Sequence, residues 1–372
     1  MTPDNQFSVY SKTPDNLGNL DNDPFLNSVF LKALEDKQCV NLKSGWHTSH
    51  IANQDLSLFL PSYIKQHSYG EYVFDWSWAQ AYQQYGFDYY PKLLSALPFT
   101  PIPNPKLLGN HNLEQLSQLC EFGRQFCLDN QFSSWHINFI PQAFAEQLAT
   151  HDFNIRLGVQ FEWFNHSYND FEHYLNRFTS RKRKQVKKER KSAQQAVTSI
   201  RVFDSHTEHQ LDTQLIKQFY YCYQVTYLKR GQQGYLNQAF FEHLFDVMPD
   251  NLALIAAFDE QDKMIASALF FKDQQNLYGR YWGCLTEVEY LHFELCYYQG
   301  IEYAIKHNLQ RFNPGTQGEH KLARGFEPIY SYSAHWLAEP TFQPAIKQFC
   351  AEEAKQIRLY QKECLKRIPF KR

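Results

Sequence analysis

Asn251-Leu-Ala-Leu-Ile-Ala-Ala-Phe258, Met264-Ile-Ala-Ser-Ala-Leu-Phe-Phe271 and Leu277-Tyr-Gly-Arg-Tyr-Trp-Gly283 follow one another in the second half of the chain. Each run is apolar and strand-sized, and the polar links Asp259 to Lys263 and Lys272 to Asn276 suit hairpin loops, so three adjacent antiparallel strands are predicted. A helix over about Leu291 to His307 leads to a short strand at Gln310 to Asn313. Strand, helix and strand at this spacing predict a parallel pair with a right-handed crossover. The strands ending at Gly283 and Asn313 then finish at the same edge. Open α/β sheets bind ligands beyond such strand ends, so the loops Cys284 to His292 and Pro314 to Phe326 are expected to border one cleft. The fold class is α/β with mixed sheets.

The second of these loops carries the densest chemistry. In Arg311-Phe-Asn-Pro-Gly-Thr-Gln-Gly-Glu-His-Lys-Leu-Ala-Arg-Gly-Phe326, Pro314, Gly315 and Gly318 stop the strand, and Glu319, His320, Lys321 and Arg324 follow at once. A helical turn with Glu319 at its start and Gly325 as its cap explains the same letters through the helix dipole. As a site, Glu319 or His320 would take a proton while Lys321 and Arg324 bind or stabilise negative charge. His292 and Glu294, at the start of the crossover helix, are further candidates for the base. Trp282 and Asn313 would line the cleft.

Composition narrows the setting. With 372 residues, two domains are expected, and a net charge of -2 means that affinity for nucleic acid must come from a local patch. Cys39, Cys120, Cys127, Cys222, Cys284, Cys296, Cys350 and Cys364 form no CxxC pair or zinc spacing, which reads as reduced thiols and a cytoplasmic location. No signal sequence or membrane span is expected, and no metal or tightly bound cofactor. Residues 1 to 23, polar and proline-containing, read as a loose leader.

From Pro24 a first α/β half is expected. It has a helix around Phe25 to Leu34, strands near Ser57 to Lys65 and Tyr90 to Phe99, and a helix near Leu113 to Asp129. A strand at Ser134 to Ile140, a helix at Gln142 to Thr150 and strands within Ile155 to Phe164 complete it. Between its first strands, His67, Glu71 and Asp75 lie in a polar loop that would either receive an acceptor or tie itself down. A joint helix over Phe171 to Ala196 follows, its capping box read at Asn169 and Glu172. Arg181 to Lys191 contains eight cations against the single Glu189, which suits either a solvated face or a phosphate backbone such as that of tRNA. After a strand at Ile200 to Phe203 come helices at Glu208 to Lys229 and Gln238 to Val247. A strand at Ser331 to Leu337 and a helix at Phe342 to Lys366 end the chain. The expected domains are 24–196 and 197–372.

Several segments resemble the FemAB-like N-acyltransferase family, grouped as peptidoglycan biosynthesis or recognition proteins. They are His67-Ser-Tyr-Gly-Glu-Tyr-Val-Phe-Asp75, Tyr90-Pro-Lys-Leu-Leu with Pro98-Phe-Thr-Pro101, and Ser180-Arg-Lys-Arg-Lys. Tyr278-Gly-Arg-Tyr-Trp-Gly-Cys284, Leu291-His-Phe-Glu294 and Gly318-Glu-His-Lys-Leu-Ala-Arg-Gly-Phe326 complete the set. The resemblance implies two tandem domains of the GNAT acyltransferase type in a Fem-type arrangement, with transfer of an acyl or aminoacyl group to an amine on a wall precursor. Lys321 with Gly325-Phe326 is similar to a Phe-Lys...Phe-Gly element whose lysine sits near the transfer site, although His320 stands for the phenylalanine and the glycine precedes the aromatic. The glycine-rich pyrophosphate turn of acyl-CoA enzymes has no counterpart in Cys284 to His292, where Glu287 and Glu289 stand instead. Acyl-CoA and aminoacyl-tRNA both remain as donors. The other function compatible with these residues is non-catalytic recognition of a wall precursor or RNA, through the cleft and the basic helix.

Overall fold

A computed structural model describes residues 7–18, 21–207, 211–229, 231–316 and 318–371. In chain order its first elements are β1 (Phe7–Tyr10), α1 (Ser28–Asp36), β2 (Trp46–Thr48), β3 (His50–Asn53), β4 (Phe59–Leu60), β5 (Ser62–Lys65), α2 (Trp76–Gln84) and β6 (Lys92–Ser95). Next come α3 (Leu113–Asp129), β7 (Ser134–Ile140), α4 (Gln142–Ala149), β8 (Asn154–Phe164), α5 (Phe171–Asn176) and α6 (Ser180–Gln195). They are followed by β9 (Ser199–Asp204), α7 (Thr213–Leu228), α8 (Gln238–Val247), β10 (Leu252–Phe258), β11 (Met264–Lys272) and β12 (Asn276–Cys284). The chain ends with α9 (Leu291–Phe293), α10 (Gln299–Lys306), β13 (Arg311–Asn313), β14 (Glu327–Leu337) and α11 (Gln343–Lys366).

Two compact units form, one from residues 1–159 and 330–360, the other from 160–329 and 361–372. The division falls inside β8, β14 and α11, and not at a linker near residue 196. In the first unit the strand order is β2-β5-β6-β7-β14, with a small sheet β1-β3-β4. Its core gathers Leu93, Leu116, Trp135, Ile137 and Phe153. Residues 7–18 of the expected loose leader are ordered in this unit. Phe7–Tyr10 pairs antiparallel with β3, and the Thr13 amide and hydroxyl donate to Glu35. The polar letters around it hid an extended segment that fills a sheet edge.

The second unit orders its strands β8-β13-β12-β11-β10-β9. The three-strand meander is antiparallel and β12 runs parallel to β13, as the apolar runs predicted. Every residue of β10 is buried, the signature of a central strand covered on both faces. Helices α7 and α8 pack through Phe219 and Phe241, whose rings meet edge on with centroids 5.0 Å apart. The expected start of the first of these helices, at Glu208, lies outside the described residues, and α7 begins after Asp212, whose side chain caps the Leu215 amide. The joint helix is two helices, broken at Arg177 to Thr179, and the cap of α5 is Asp170 accepting from the His173 amide. The break lets the chain end return, since Thr179 N–H bonds the Pro369 carbonyl and Phe178 packs on Phe370.

Strand β12 lies so close to α7 that a Cβ on Gly283 would sit 2.0 Å from the Cys222 carbonyl oxygen. Backbone cannot yield as a flexible side chain does. Gly283→Ala is therefore expected to cost about 2–4 kcal/mol, read from urea denaturation midpoints. Gly18→Ala, where the added carbon meets nothing within 4 Å, serves as the control.

Candidate active site

The register of β12 and β13 builds the opening. Asn276, Leu277 and Tyr278 pair with Arg311, Phe312 and Asn313, after which β13 ends while β12 continues to Cys284. A bulge against β11 adds Arg280, because Leu269 faces Tyr281 while Phe270 faces Gly279. Such an extra residue bends a strand and re-aims side chains. A cavity of about 160 Å³ occupies the gap, lined among others by Gly279, Arg280, Trp282, His292, Cys296 and Pro314. The crossover helix widens into a π-turn over Glu294–Tyr298, which places Cys296 and Tyr297 on the same wall. Trp282 and His292 meet edge on, with ring centroids 5.1 Å apart. Asn313 is buried at the fork, its amide donating to Gln160 and Glu162 and its oxygen accepting from the Gly315 amide. It holds the fork in shape and is not presented as a binding group.

Beyond the fork, Glu319–Arg324 forms a 3₁₀ turn between Gly318 and Gly325, both with positive φ. The turn directs alternate charged groups to different places. Lys321 is 2% exposed, and its Nζ donates to the Gly315 carbonyl at 2.6 Å. Removal from water disfavours its ammonium and lowers its pKa to about 7, close to a neutral amine at physiological pH. His320 lies 2.8 Å from the Tyr297 hydroxyl through Nε2, and burial with the neighbouring charge of Lys321 lowers it to about 4. Glu319 points outward and pairs with Arg367. The local letters placed these groups in one turn, but Lys321 enters the interior bonded to a backbone carbonyl, while Arg324 enters paired with Glu189.

Arg324 and Glu294 have other work. Arg324 donates to the His320 carbonyl and to Glu189 of α6, and its guanidinium lies 3.4 Å from the Phe293 ring centre. Both partners of this ion pair are almost wholly buried. Glu294 is fully buried and receives hydrogen bonds from Arg190, Gln194 and Gln299. Its carboxylate is held by one cation and one amide of α6 and by the Gln299 amide of α10, so the geometry does not bring it to the cavity as a base. Helix α6 thus buries Val186, Glu189 and Ala193. Arg181, Lys184, Lys188 and Lys191, at spacings of three and four, lie exposed on another face.

The first unit holds a separate polar cluster. Lys92 Nζ, fully buried, donates to Ser68 and Glu71 at 2.7 and 2.9 Å and also to Asp75. Burial works against the Asp75 carboxylate, but the Lys92 charge outweighs it and holds its pKa well below the usual range. Burial pushes Glu71 up to about 7. His67 stays at the loop surface, accepting from the Tyr69 amide. Tyr89 bonds Asp75 and approaches His136, which meets His335 through the two Nδ1 atoms 2.6 Å apart. Sequence reasoning found the loop but missed Lys92, Tyr89, His136 and His335, since only strand register brings them together. Lys65 stands directly opposite Lys92, and two lysines on neighbouring strands are the one signal that asked for buried acids.

Residues 7–372 match the model of the FemAB-like family, described as peptidoglycan biosynthesis/recognition. The chain belongs to the FemAB-like family. Among solved structures, FemX aligns with a TM-score of 0.54 at 12% identity, covering 89% of this chain and 99% of its own. L-PGS from Bacillus licheniformis gives 0.52 at 8% identity, covering 86% and 94%. A conserved protein of unknown function from Bacteroides thetaiotaomicron gives 0.52 at 8%, covering 88% and 94%. These likenesses establish the Fem-type mixed α/β fold. No curated protein is similar enough in sequence to count as a relative. Among the described residues no helix is long and apolar enough to cross a membrane.

Two stability measurements check the roles assigned to this FemAB-like site. Glu189→Ala leaves Arg324 buried without its counter-charge and is expected to cost about 3 kcal/mol. Lys321→Met should do the opposite. The folded-state pKa of Lys321, about 7, lies below its ordinary 10.5, so its burial destabilises the fold fully below pH 7 and ceases to do so as pH rises toward 10.5. The methionine variant should gain about 2–3 kcal/mol at pH 6 to 7 and lose that advantage near pH 10. Thermal melts across pH read both effects.

Proposed function

We propose that this FemAB-like protein transfers an aminoacyl group from an ester donor to an amine, with Lys321 as the proton carrier beside the fork of β12 and β13. One observation carries the reading: a buried lysine with its pKa lowered to about 7, bonded to the Gly315 carbonyl one residue past Pro314, which lines a cavity that no carboxylate lines among the described residues. A fold gains no stability from such a group, and perturbed groups of this kind concentrate where chemistry is done.

In the proposed reaction, neutral Lys321 takes one proton from the acceptor ammonium, and the freed amine attacks the ester carbon. The tetrahedral intermediate loses a second proton to solvent. As the carbon–oxygen bond breaks, Lys321 returns its proton to the departing oxygen, leaving an amide and a free hydroxyl. His320, neutral and tied to Tyr297, fixes the turn that holds Lys321.

An aminoacyl-tRNA suits this chain better than acyl-CoA as donor. The segment between β12 and α9 carries exposed Glu287 and Glu289 just before the helix start, negative charges that oppose a pyrophosphate there. The exposed row Arg181, Lys184, Lys188 and Lys191 would follow an RNA backbone by charge alone. The family description favours a peptidoglycan-precursor amine as acceptor.

Incubation of the purified protein with labelled aminoacyl-tRNA and a nucleotide-linked wall precursor tests the reading. Amide product is expected, its rate rising with pH through about 7 as Lys321 loses its proton, and Lys321→Met should lower the rate by about 100-fold or more while remaining folded. Precursor binding without transfer from any donor would instead make this a recognition protein.

A further inference from the structure

Aromatic side chains that reach solvent are concentrated in one stretch of the first unit. Among the described residues, Tyr69, Phe74, Trp76, Tyr85 and Phe87 are exposed within this short segment, and Tyr221 is the only other exposed aromatic. Exposed rings grouped in this way mark interaction surfaces. Trp76 opens α2 and stays 41% exposed, its ring centre 5.3 Å from that of Tyr69, which is itself 58% exposed. The opposite side of the helix is fixed, because Trp78 and Tyr82 are buried with Tyr89, Leu337 and Phe342. The exposed pair therefore stands on a rigid support, which lowers the entropy cost of binding.

The rest of the exposed face decides what it can hold. Gln80, Gln83 and Gln84 stand four, seven and eight residues after Trp76, so they share its face of α2, and all three are exposed. On α3 and α4 the exposed Gln125 and Gln142 bond the acids four residues on, Asp129 and Glu146. No acid lies within α2, and among the described residues the amides of its three glutamines have no hydrogen-bond partner. No lysine or arginine stands between Gln66 and Pro91. Lys65 and Lys92, which flank the stretch, are fully buried, and Arg156, which bonds the Phe74 carbonyl, is held by Glu353. A phosphate, on RNA or on an anionic lipid, would find no counter-charge in this stretch. Hydrocarbon would strip water from the three amides with nothing in return. A sugar ring presents an apolar C–H face and a rim of hydroxyls, and so satisfies the aromatic rings and the amides together.

We infer that Tyr69, Trp76 and the glutamine face of α2 form a binding platform for an uncharged glycan. One pyranose stacks on the Trp76 and Tyr69 rings, and the hydroxyls of the next units bond Gln80, Gln83 and Gln84. From Trp76 to Gln84 the helix rises about 12 Å, which suits a short run of linear sugar units. The platform shares no residue with the fork cavity, and it stands whether or not the protein transfers an aminoacyl group.

Isothermal titration of the full chain with cellotetraose and chitotetraose provides the test, the first a plain glucose chain and the second its N-acetylated counterpart. At least one should bind with a Kd of about 1 mM or tighter and shift the tryptophan emission, and the tighter of the two shows whether the acetamido group is read. Trp76→Ala should weaken that binding about 10-fold or more, and Gln80→Ala combined with Gln84→Ala about 3-fold or more. Leu113→Ala, which removes an exposed apolar group from α3, should leave it unchanged. Circular dichroism checks that the variants are folded, and Tyr69→Ala, expected to weaken binding in the same direction, gives a second reading of the stacking site. Binding of neither sugar, or binding that Trp76→Ala and Tyr69→Ala both leave intact, would overturn the inference. So would Trp76-dependent binding to phosphatidylcholine vesicles, or a Trp76-dependent dimer in sedimentation, in place of sugar binding. Those results would give the face to a membrane or to a second copy of the chain.

Discussion

Glu189 and Arg324 are each almost entirely withdrawn from water, and neither charge could be buried there without the other. Glu189 is the only acid in the basic stretch that begins α6, and it faces inward while Lys187, Lys188 and Lys191 face out and Arg190 turns to Glu294. Arg324 closes the 3₁₀ turn that contains Lys321. Tyr298 adds its hydroxyl to the same Glu189 oxygen from the π-turn of the crossover helix, and Tyr174 holds the Arg324 carbonyl. One ion pair therefore fastens three elements that share no regular hydrogen-bond ladder. Lys321 is carried into the interior by a turn that its neighbours pin at both ends.

The groups around the cavity come from departures from regular structure. A bulge supplies Arg280, a π-turn supplies Cys296 and Tyr297, and glycines with positive φ bracket the charged turn. Each departure turns a side chain where an ideal strand or helix would not. The surrounding meander, with β10 wholly buried, is regular enough to hold these irregular points in place.

The two units handle buried charge differently. In the first, Lys92 is matched by Glu71, Asp75 and Ser68, and burial opposes its ammonium less than the two acids support it, so the charge is raised in stability and fixed. In the second, among the described residues the Lys321 ammonium donates to the Gly315 carbonyl, and burial lowers its preference for the charged form. A lysine with acids around it ties a loop to a sheet. A lysine without them is more easily deprotonated.

The sequence by itself determined the second unit closely. Apolar runs of strand length separated by short polar links left few alternatives to a meander, and the spacing through Leu291 and Arg311 required a parallel return, because only a crossover helix spans that geometry. It also put Glu319, His320, Lys321 and Arg324 into one turn. What it could not assign was their division of labour, since a turn rotates adjacent residues in different directions and their partners, Arg367, Tyr297, Gly315 and Glu189, lie on separate elements. Glu294 read as a candidate base because its place at a helix start was visible while Arg190, about a hundred positions earlier, was not. The strand at Phe7–Tyr10, the Lys92 cluster and the meeting of His136 with His335 were likewise decided only in three dimensions. Pairing energy between distant strands depends on register, and register is fixed by the packing of the whole sheet and not by any local run of residues.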